Sequence, residues 1–288
     1  MPFNVYFIPL VFVVGALAAA IVLPFQSVLV RFRTNYTPKR VQLETEQSAA
    51  EYSYWNYTYF KMAKRVFQIE GIAGFFKGFW LLYMILITIV LVLFGGYAII
   101  TEISGLNTWA SRNIQIMTVI CYTGNITLLI PARVMLDRLI VAPYNPFSRR
   151  RLSNLTLYPP GIIQATLLSC LIGSFIGGPF SWLVLQMLPP PLSTAFITRY
   201  IRLLMLIIVL NPLEVIISRL AVQGSHNVDA TEIVIPAPET VVKLRDEQEE
   251  EDYKGVIDCL QKICKEEGWL ALYRGWWNMF LVGTYYIY

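Results

Sequence analysis

One stretch of the chain decides the fold, and it runs from Pro212 to Gly275. It begins with PLEVIISRLAVQG at 212–224, inside a long apolar segment, and ends with EGWLALYRG at 267–275. Between these two motifs, an acidic loop leads to YKG at 253–255 and to a short segment whose apolar residues recur with helical spacing. The stretch predicts a kinked membrane helix, a polar loop, an amphipathic helix at the interface and a return into the membrane.

A weaker copy of this stretch lies earlier in the chain. Val256 stands 197 residues after Tyr59, and the apolar residues of two amphipathic segments keep this offset. They are Tyr59, Phe60, Ala63, Val66 and Phe67 in the first segment and Val256, Ile257, Leu260, Ile263 and Cys264 in the second. The same offset carries EGIAGFFKG at 70–78 onto EGWLALYRG at 267–275. Self-similarity of this kind indicates an internal repeat.

Three prolines begin three copies of the repeat: Pro24, Pro131 and Pro212. Each is expected to kink a membrane helix, because proline lacks the N–H that closes an α-helical hydrogen bond. We predict repeats over residues 1–100, 101–190 and 191–288. The middle repeat is degenerate, since it has no re-entry motif. The third repeat contains an acidic loop at 224–252, which we predict to be solvated and mobile.

The composition is that of an integral membrane protein. Hydrophobic residues make up 56% of the 288 residues and charged residues 15%, against about 25% charged in a soluble domain. The lipid bilayer is therefore the first predicted partner, and the net charge of +4 does not indicate nucleic acid. The one histidine, His226, and the four cysteines form no recognisable metal or catalytic pattern, so we predict neither an enzyme nor a cofactor.

The apolar segments predict an all-α fold with five to six membrane spans. The first five lie at about 6–32, 79–100, 109–141, within 161–188, and at 193–222. Met1 to Leu23 has no basic region before its apolar part, so we expect a retained span rather than a cleaved leader. The last apolar segment, 275–288, has 14 residues and would reach about 21 Å, short of the roughly 30 Å of a hydrocarbon core.

These motifs resemble those of the mitochondrial carrier family. That family has three repeats, each with a Pro-x-acid kink and a Glu-Gly-x-x-x-aromatic-aromatic-base-Gly re-entry. The resemblance covers almost the whole chain. It is most specific in the third repeat, at Pro212, Glu214, Arg219, Gln223, Tyr253, Gly255, Glu267, Gly268, Tyr273, Arg274 and Gly275.

The resemblance also implies a ring of salt bridges from which this chain departs. In the family, an acid two residues after each proline pairs with a base five residues after it, and the pairs close the cavity on one side. Here the acid positions are Gln26, Arg133 and Glu214, the first-base positions Leu29, Leu136 and Ile217, and the second-base positions Arg31, Arg138 and Arg219. We therefore expect that this ring cannot form. The even-numbered spans, where the family has its second gate and substrate contacts, contain no charged residue.

Two functions stay open on the sequence. Loss of both gates is similar to the divergent outer-membrane branch of the family, which implies a scaffold or adaptor in mitochondrial fusion and morphology. That resemblance implies contacts with membrane proteins such as fusion GTPases, or with a second copy of the chain. The alternative is a solute transporter with an atypical apolar cavity, in the outer or the inner mitochondrial membrane. Its candidate cavity contacts are Arg199 and Arg202, which could equally extend towards the membrane interface.

Overall fold

The computed structural model of the chain describes residues 7–37, 58–90, 130–142, 158–176, 180–187, 195–223, 241–242, 244 and 253–278. Within these ranges the chain is helical, without a β-strand, and the all-α prediction is confirmed. The helices are α1 (Phe7–Thr34), α2 (Tyr59–Glu70), α3 (79–90), α4 (130–141), α5 (Ile162–Phe175), α6 (Ser181–Met187), α7 (Ala195–Val222) and α8 (Val256–Glu266). Short 3₁₀ turns follow α2 and α8, at Ile72–Phe76 and Trp269–Tyr273.

Three helical segments of the described chain are long and apolar enough to cross a membrane: Phe12–Thr34, Ile72–Val90 and Tyr200–Val222. They coincide with the predicted first, second and fifth spans. The apolar helix α5 is shorter and lies where a short buried or interfacial helix is predicted to precede the fourth span. Residues 109–129 and 279–288 lie outside the described residues, so the predicted third span is seen only from 130 onwards and the last apolar segment stays a prediction.

The helices enclose two apolar clusters. The first joins α1, α2, α3 and α4, with Val222 from the end of α7. The second joins α4, α5, α7 and α8 and includes Ile216, Ile217 and Ile263. Because α4 and α7 contribute to both clusters, they connect the two halves of the core.

A side chain from the second 3₁₀ turn supplies the hydrogen bond that α7 loses at Pro212. Proline has no N–H, so the carbonyl of Ile208 loses its helical donor. The hydroxyl of Tyr273 donates to this carbonyl at 3.2 Å. α7 therefore continues through Pro212, as a membrane helix can when a neighbour supplies the missing donor. α1 likewise continues through Pro24, and Pro131 is the second residue of α4 as described.

The amphipathic helices α2 and α8 bury one edge of their predicted apolar faces. Val66 is 0% exposed and Ile263, the matching residue, is 1% exposed. Phe60 and Ile257, a second matching pair, stay 80% and 70% exposed. Further exposed apolar side chains continue along the re-entry turns, at Ile72, Phe76, Trp80, Trp269 and Trp276. A helix with a buried inner edge and an apolar, aromatic outer side fits the membrane interface.

Two residues of the predicted acidic loop are buried. Val241 and Val242 are 4% and 6% exposed, and they belong to the apolar cluster that contains Val141 and Val222. The prediction of a solvated loop over 224–252 is therefore wrong at these residues. Their burial is favourable because removing apolar side chains from water stabilises the folded chain. Apart from Leu244, which packs against the same cluster, the rest of 224–252 lies outside the described residues.

Candidate gate at one end of the helix bundle

The three proline helices, α1, α4 and α7, are tied together near their carboxyl ends. We call this region, formed by residues 31–35, 138–142 and 219–223, the closed end. Two sets of polar contacts lie here or just inside it. One is an ion-pair cluster around Glu214, and the other is a circle of hydrogen bonds to the last carbonyl groups of the helices.

Glu214 joins all three proline helices. Its Oε2 accepts a hydrogen bond from Nη2 of Arg133 on α4 at 2.5 Å, and it lies 3.5 Å from Nη1 of Arg33 on α1. The side chains of Arg33 and Glu214 are 2% and 18% exposed. Arg133 is more open, at 33%. A single carboxylate thus lies between two guanidinium groups inside the bundle, where an unpaired charge is costly.

Two further polar side chains complete this cluster. Asn211 is fully buried; its Oδ1 accepts from Arg33 at 3.3 Å, and its Nδ2 donates to the carbonyl of Leu272 at 2.9 Å. Asp137 stands one turn after Arg133 on α4 and is 1% exposed. Its Oδ2 has no hydrogen-bond partner among the described residues, but it interacts electrostatically with both arginines and Glu214. The two carboxylates and two guanidinium groups sum to zero charge.

The cluster is not the ring of acid and first-base pairs that the family resemblance implies. The three first-base positions are apolar and buried, with Leu29, Leu136 and Ile217 at 1%, 4% and 1% exposure. An ion pair between helices nevertheless forms, because Arg133 occupies an acid position and faces Glu214, the acid of the third repeat. The opposite charges of Arg133 and Glu214 at equivalent positions were the sequence signal for this pair. Arg33, Asn211 and Asp137 had no such signal, since they lie outside the family motif.

Basic side chains cap the proline helices in a circle. Lys77 donates to the carbonyl of Ala142 after α4 at 3.1 Å. Arg138, from α4, donates to the carbonyls of Ala221 and Gln223 at the end of α7, at 2.7 and 2.9 Å. Arg219, from α7, donates to the carbonyls of Arg33 and Asn35 at the end of α1, at 2.8 and 2.9 Å. The last carbonyls of a helix have no partner within it, and cations are favourable beside them. Each helix end is thereby fastened to its neighbour.

A glutamate in each re-entry motif braces this circle. Glu267 lies 2.8 Å from both Arg219 and Arg274, and Arg274 also donates to the carbonyl of Asn35 and to the hydroxyl of Thr37. Glu70 makes the equivalent pairs with Arg31 and Lys77, each at 2.5 Å. The Glu-Gly and base-Gly elements of the motif are thus the two ends of one brace between a proline helix and the re-entry turn.

Leucines at two of the first-base positions pack against re-entry glycines. Gly78 and Gly275 have φ values of 85° and 73°, in the left-handed region that glycine adopts without strain. A Cβ on Gly78 would lie 2.6 Å from Cδ1 of Leu136, and one on Gly275 would collide with the side chain of Leu29. These leucines therefore fill the space beside a neighbouring turn.

Arg199 and Arg202 lie away from this cluster. Both belong to α7, and Arg202 precedes Glu214 by 12 residues, about 18 Å along a helix axis. Arg202 is half-buried and has an interaction of its own, whereas the side chain of Arg199 lies outside the described residues. Their role as cavity contacts stays a prediction.

The comparison with known families places this architecture in a class of membrane proteins. The sequence model described as mitochondrial carrier protein matches residues 11–106 and 204–286, which is more than half of the chain. The chain belongs to the mitochondrial carrier family, and is thus a multi-pass protein of the lipid bilayer in a family of transporters. The matched ranges include both complete re-entry motifs. No curated protein matches the chain.

Proposed function

We propose that this carrier-family protein is a membrane scaffold or adaptor of the outer mitochondrial membrane, acts in mitochondrial fusion and morphology, and does not exchange solutes. The observation that supports the proposal best is the fastening of the closed end. The Glu214 cluster, the circle of capping bonds and the two glutamate braces all hold α1, α4 and α7 together there.

Exchange of a solute requires the bundle to open at both ends in turn. The ion pairs and hydrogen bonds that break when one end opens must be offset by others that form at the opposite end, or the equilibrium stays with the closed state. The described part of the second span, α3, and the helices α5 and α6 of the segment 161–188 have no charged side chain that could form a second gate or hold an ionic substrate. The closed end is held by many polar contacts, and these helices offer no charged side chains for an equivalent set at the opposite end. This difference favours a bundle that does not open.

Purified protein in liposomes tests this directly. We expect no exchange of labelled nucleotides, carboxylates or amino acids above that of protein-free liposomes. An exchange-competent family member serves as the positive control. Saturable, inhibitor-sensitive exchange would refute the proposal. Glu267→Gln breaks one of the braces of the bundle, so loss of exchange in this variant would show that the exchange is due to this protein.

A second experiment tests the cellular role. The absence of the charged gates resembles the outer-membrane branch of the family. That resemblance is the basis for proposing the outer membrane as the location and fusion proteins, membrane GTPases among them, as the partners. We expect deletion of the gene to fragment the mitochondrial network and Arg202→Ala to restore it fully, because a scaffold needs no cavity cation. An unchanged network after deletion, or fractionation of the protein exclusively with the inner membrane, would contradict this part of the proposal.

One observation supports a transporter as the second candidate. The Glu214 cluster joins three helices through Arg33 and Arg133, as a gate on one side of a carrier must. In that case Arg199 and Arg202 are the substrate contacts in an otherwise apolar cavity. Arg202→Ala should then abolish uptake into liposomes at unchanged expression and folding, whereas unchanged uptake would exclude Arg202 as a substrate contact.

A further inference from the structure

Two valines of the predicted acidic loop are buried in the first apolar cluster. Val241 and Val242 are 4% and 6% exposed, within a region of the sequence rich in prolines and acidic residues. Leu244 packs partly buried against the same cluster. Since these side chains come from neither a membrane span nor an amphipathic helix, their burial needs its own explanation.

The valines join a cluster built from the ends of the proline helices. Val222 is the last residue of α7, Val141 is the last helical residue of α4, and Val30 lies in the last turns of α1. All three belong, with Val241 and Val242, to one buried cluster. The valines therefore belong to an apolar cluster that reaches the ends of all three proline helices.

The same helix ends are joined by the capping bonds. Arg138 on α4 reaches the carbonyls of Ala221 and Gln223, on either side of Val222. Separation of α4 from α7 at this end would break these bonds and would also pull apart the apolar cluster that holds the valines. Water would then reach side chains that are now less than a tenth exposed, which is unfavourable.

We propose that Val241 and Val242 form an apolar strap that holds the closed end together, and that this end separates only after the two valines withdraw. The strap acts alongside the polar contacts of Glu214 and the capping arginines, and it does so whether or not the protein exchanges a solute. It couples the burial of Val241 and Val242 to the state of the bundle.

A buried reporter cysteine tests the strap in the full-length protein in liposomes. Ile217→Cys is suitable, because Ile217 is 1% exposed and belongs to the second apolar cluster rather than to the one that holds the valines. Its labelling by a membrane-impermeant maleimide, read by peptide mass spectrometry, therefore reports helix separation and not merely the loss of two neighbours. We expect Val241→Asp/Val242→Asp to raise the labelling rate at least tenfold.

Two controls separate opening from other effects. Ile257→Asp adds an acid at a residue that is 70% exposed, and it should leave the labelling of Ile217→Cys within twofold. Ala19→Cys, at a fully buried site far from the end of α1, should stay unlabelled in the double variant. Unchanged labelling of Ile217→Cys in the double variant would overturn the proposal, and so would equal labelling at both cysteines, since this indicates general unfolding.

Discussion

Two units of the chain, Pro24–Gly78 and Pro212–Gly275, have the same plan but differ in what lies at their centre. Both brace a glutamate between two basic side chains, Glu70 in the first unit and Glu267 in the third. The unit Pro212–Gly275 also has two polar residues beside its proline, Asn211 and Glu214. At the matching positions, the unit Pro24–Gly78 has Leu23, which is buried, and Gln26. The braces therefore belong to the repeated fold, whereas the polar cluster belongs to one unit and depends on arginines from the other helices.

Substitution of Glu214 should give the largest difference in stability between the two units. Glu214→Leu leaves Arg33 and Arg133 without their shared carboxylate, and we expect the free energy of unfolding to fall by about 3–5 kcal/mol. Gln26→Leu, the matching change in the first unit, should cost less than about 1 kcal/mol. Equilibrium unfolding of the detergent-solubilised protein in increasing denaturant measures both. Equal losses for the two variants would show that the units do not differ in this way, and Arg133→Leu in the Glu214→Leu background should recover part of the loss.

The two braces should differ less. Glu267 pairs with two arginines whose side chains are each 4% exposed, whereas one partner of Glu70 is Lys77, at 26%. A charge that loses its partner costs more stability when it is buried than when it is exposed. We therefore expect Glu267→Gln to lower the free energy of unfolding by about 3 kcal/mol and Glu70→Gln by about half of that. The same unfolding assay gives both values. A larger loss for Glu70→Gln would reverse the ranking and place the stronger brace in the first unit.

Removal of one hydroxyl tests the comparison at the two helix prolines, Pro24 and Pro212. Tyr273→Phe leaves the carbonyl of Ile208 without a donor and should cost about 1–2 kcal/mol, because a backbone carbonyl of a membrane-spanning helix is costly without a hydrogen bond. In the first unit, the hydroxyl of Tyr59 donates to the carbonyl of Phe25 at 3.3 Å, but this carbonyl is not the one that Pro24 frees. Burial raises the pKa of Tyr59 to about 12, so its hydroxyl stays protonated near neutral pH.

Tyr59→Phe is the matched control for this prediction. We expect it to cost less than half as much as Tyr273→Phe, since the carbonyl of Phe25 lies within a continuous helix and can keep a backbone donor. Infrared spectra of the two variants in the amide I region provide a second measurement. A shift for Tyr59→Phe as large as that for Tyr273→Phe would show that the proline is not the cause.

The smallest effect concerns the amphipathic helices. α8 has Asp258 in its first turn and Lys265 in its last, as the helix dipole favours, whereas α2 has neither an acid nor a base at these places. The backbone N–H of Lys254 donates to Asp258 at 2.9 Å and lowers the pKa of this carboxyl. Asp258→Asn should therefore reduce the stability of α8 by about 0.5 kcal/mol. Hydrogen exchange of the first amides of α8 measures it, and protection that rises in the variant would contradict the prediction.

Much of the fold could be predicted from residue patterns, because membrane spans and interfacial helices depend on local hydrophobicity. Both amphipathic helices, the apolar spans that can be compared and the re-entry glycines fall in this group. Met62 was missed, although it is 1% exposed, because it lies beside the face that the spacing selected. Boundaries between the three predicted repeats stay a prediction.

The candidate gate was harder to predict because its contacts join helices that are distant in sequence. Arg133 and Glu214 are 81 residues apart, and their pairing depends on how α4 and α7 face each other. The burial of Val241 and Val242 depends in the same way on an apolar cluster that several helices build together. Local composition around these valines is polar, so a prediction based on composition alone assigns them to solvent.

The leucines that rest on the re-entry glycines make the altered gate difficult to reverse during evolution. Leu29 is 1% exposed and fills the space beside Gly275. A lysine at this position would place an ammonium group in a dry site, and its natural partner position holds Arg133, Gln26 or the already engaged Glu214. Restoring one member of the ring would thus be harmful until a second and a third change had followed. Lineages that carry this arrangement are therefore expected to keep it.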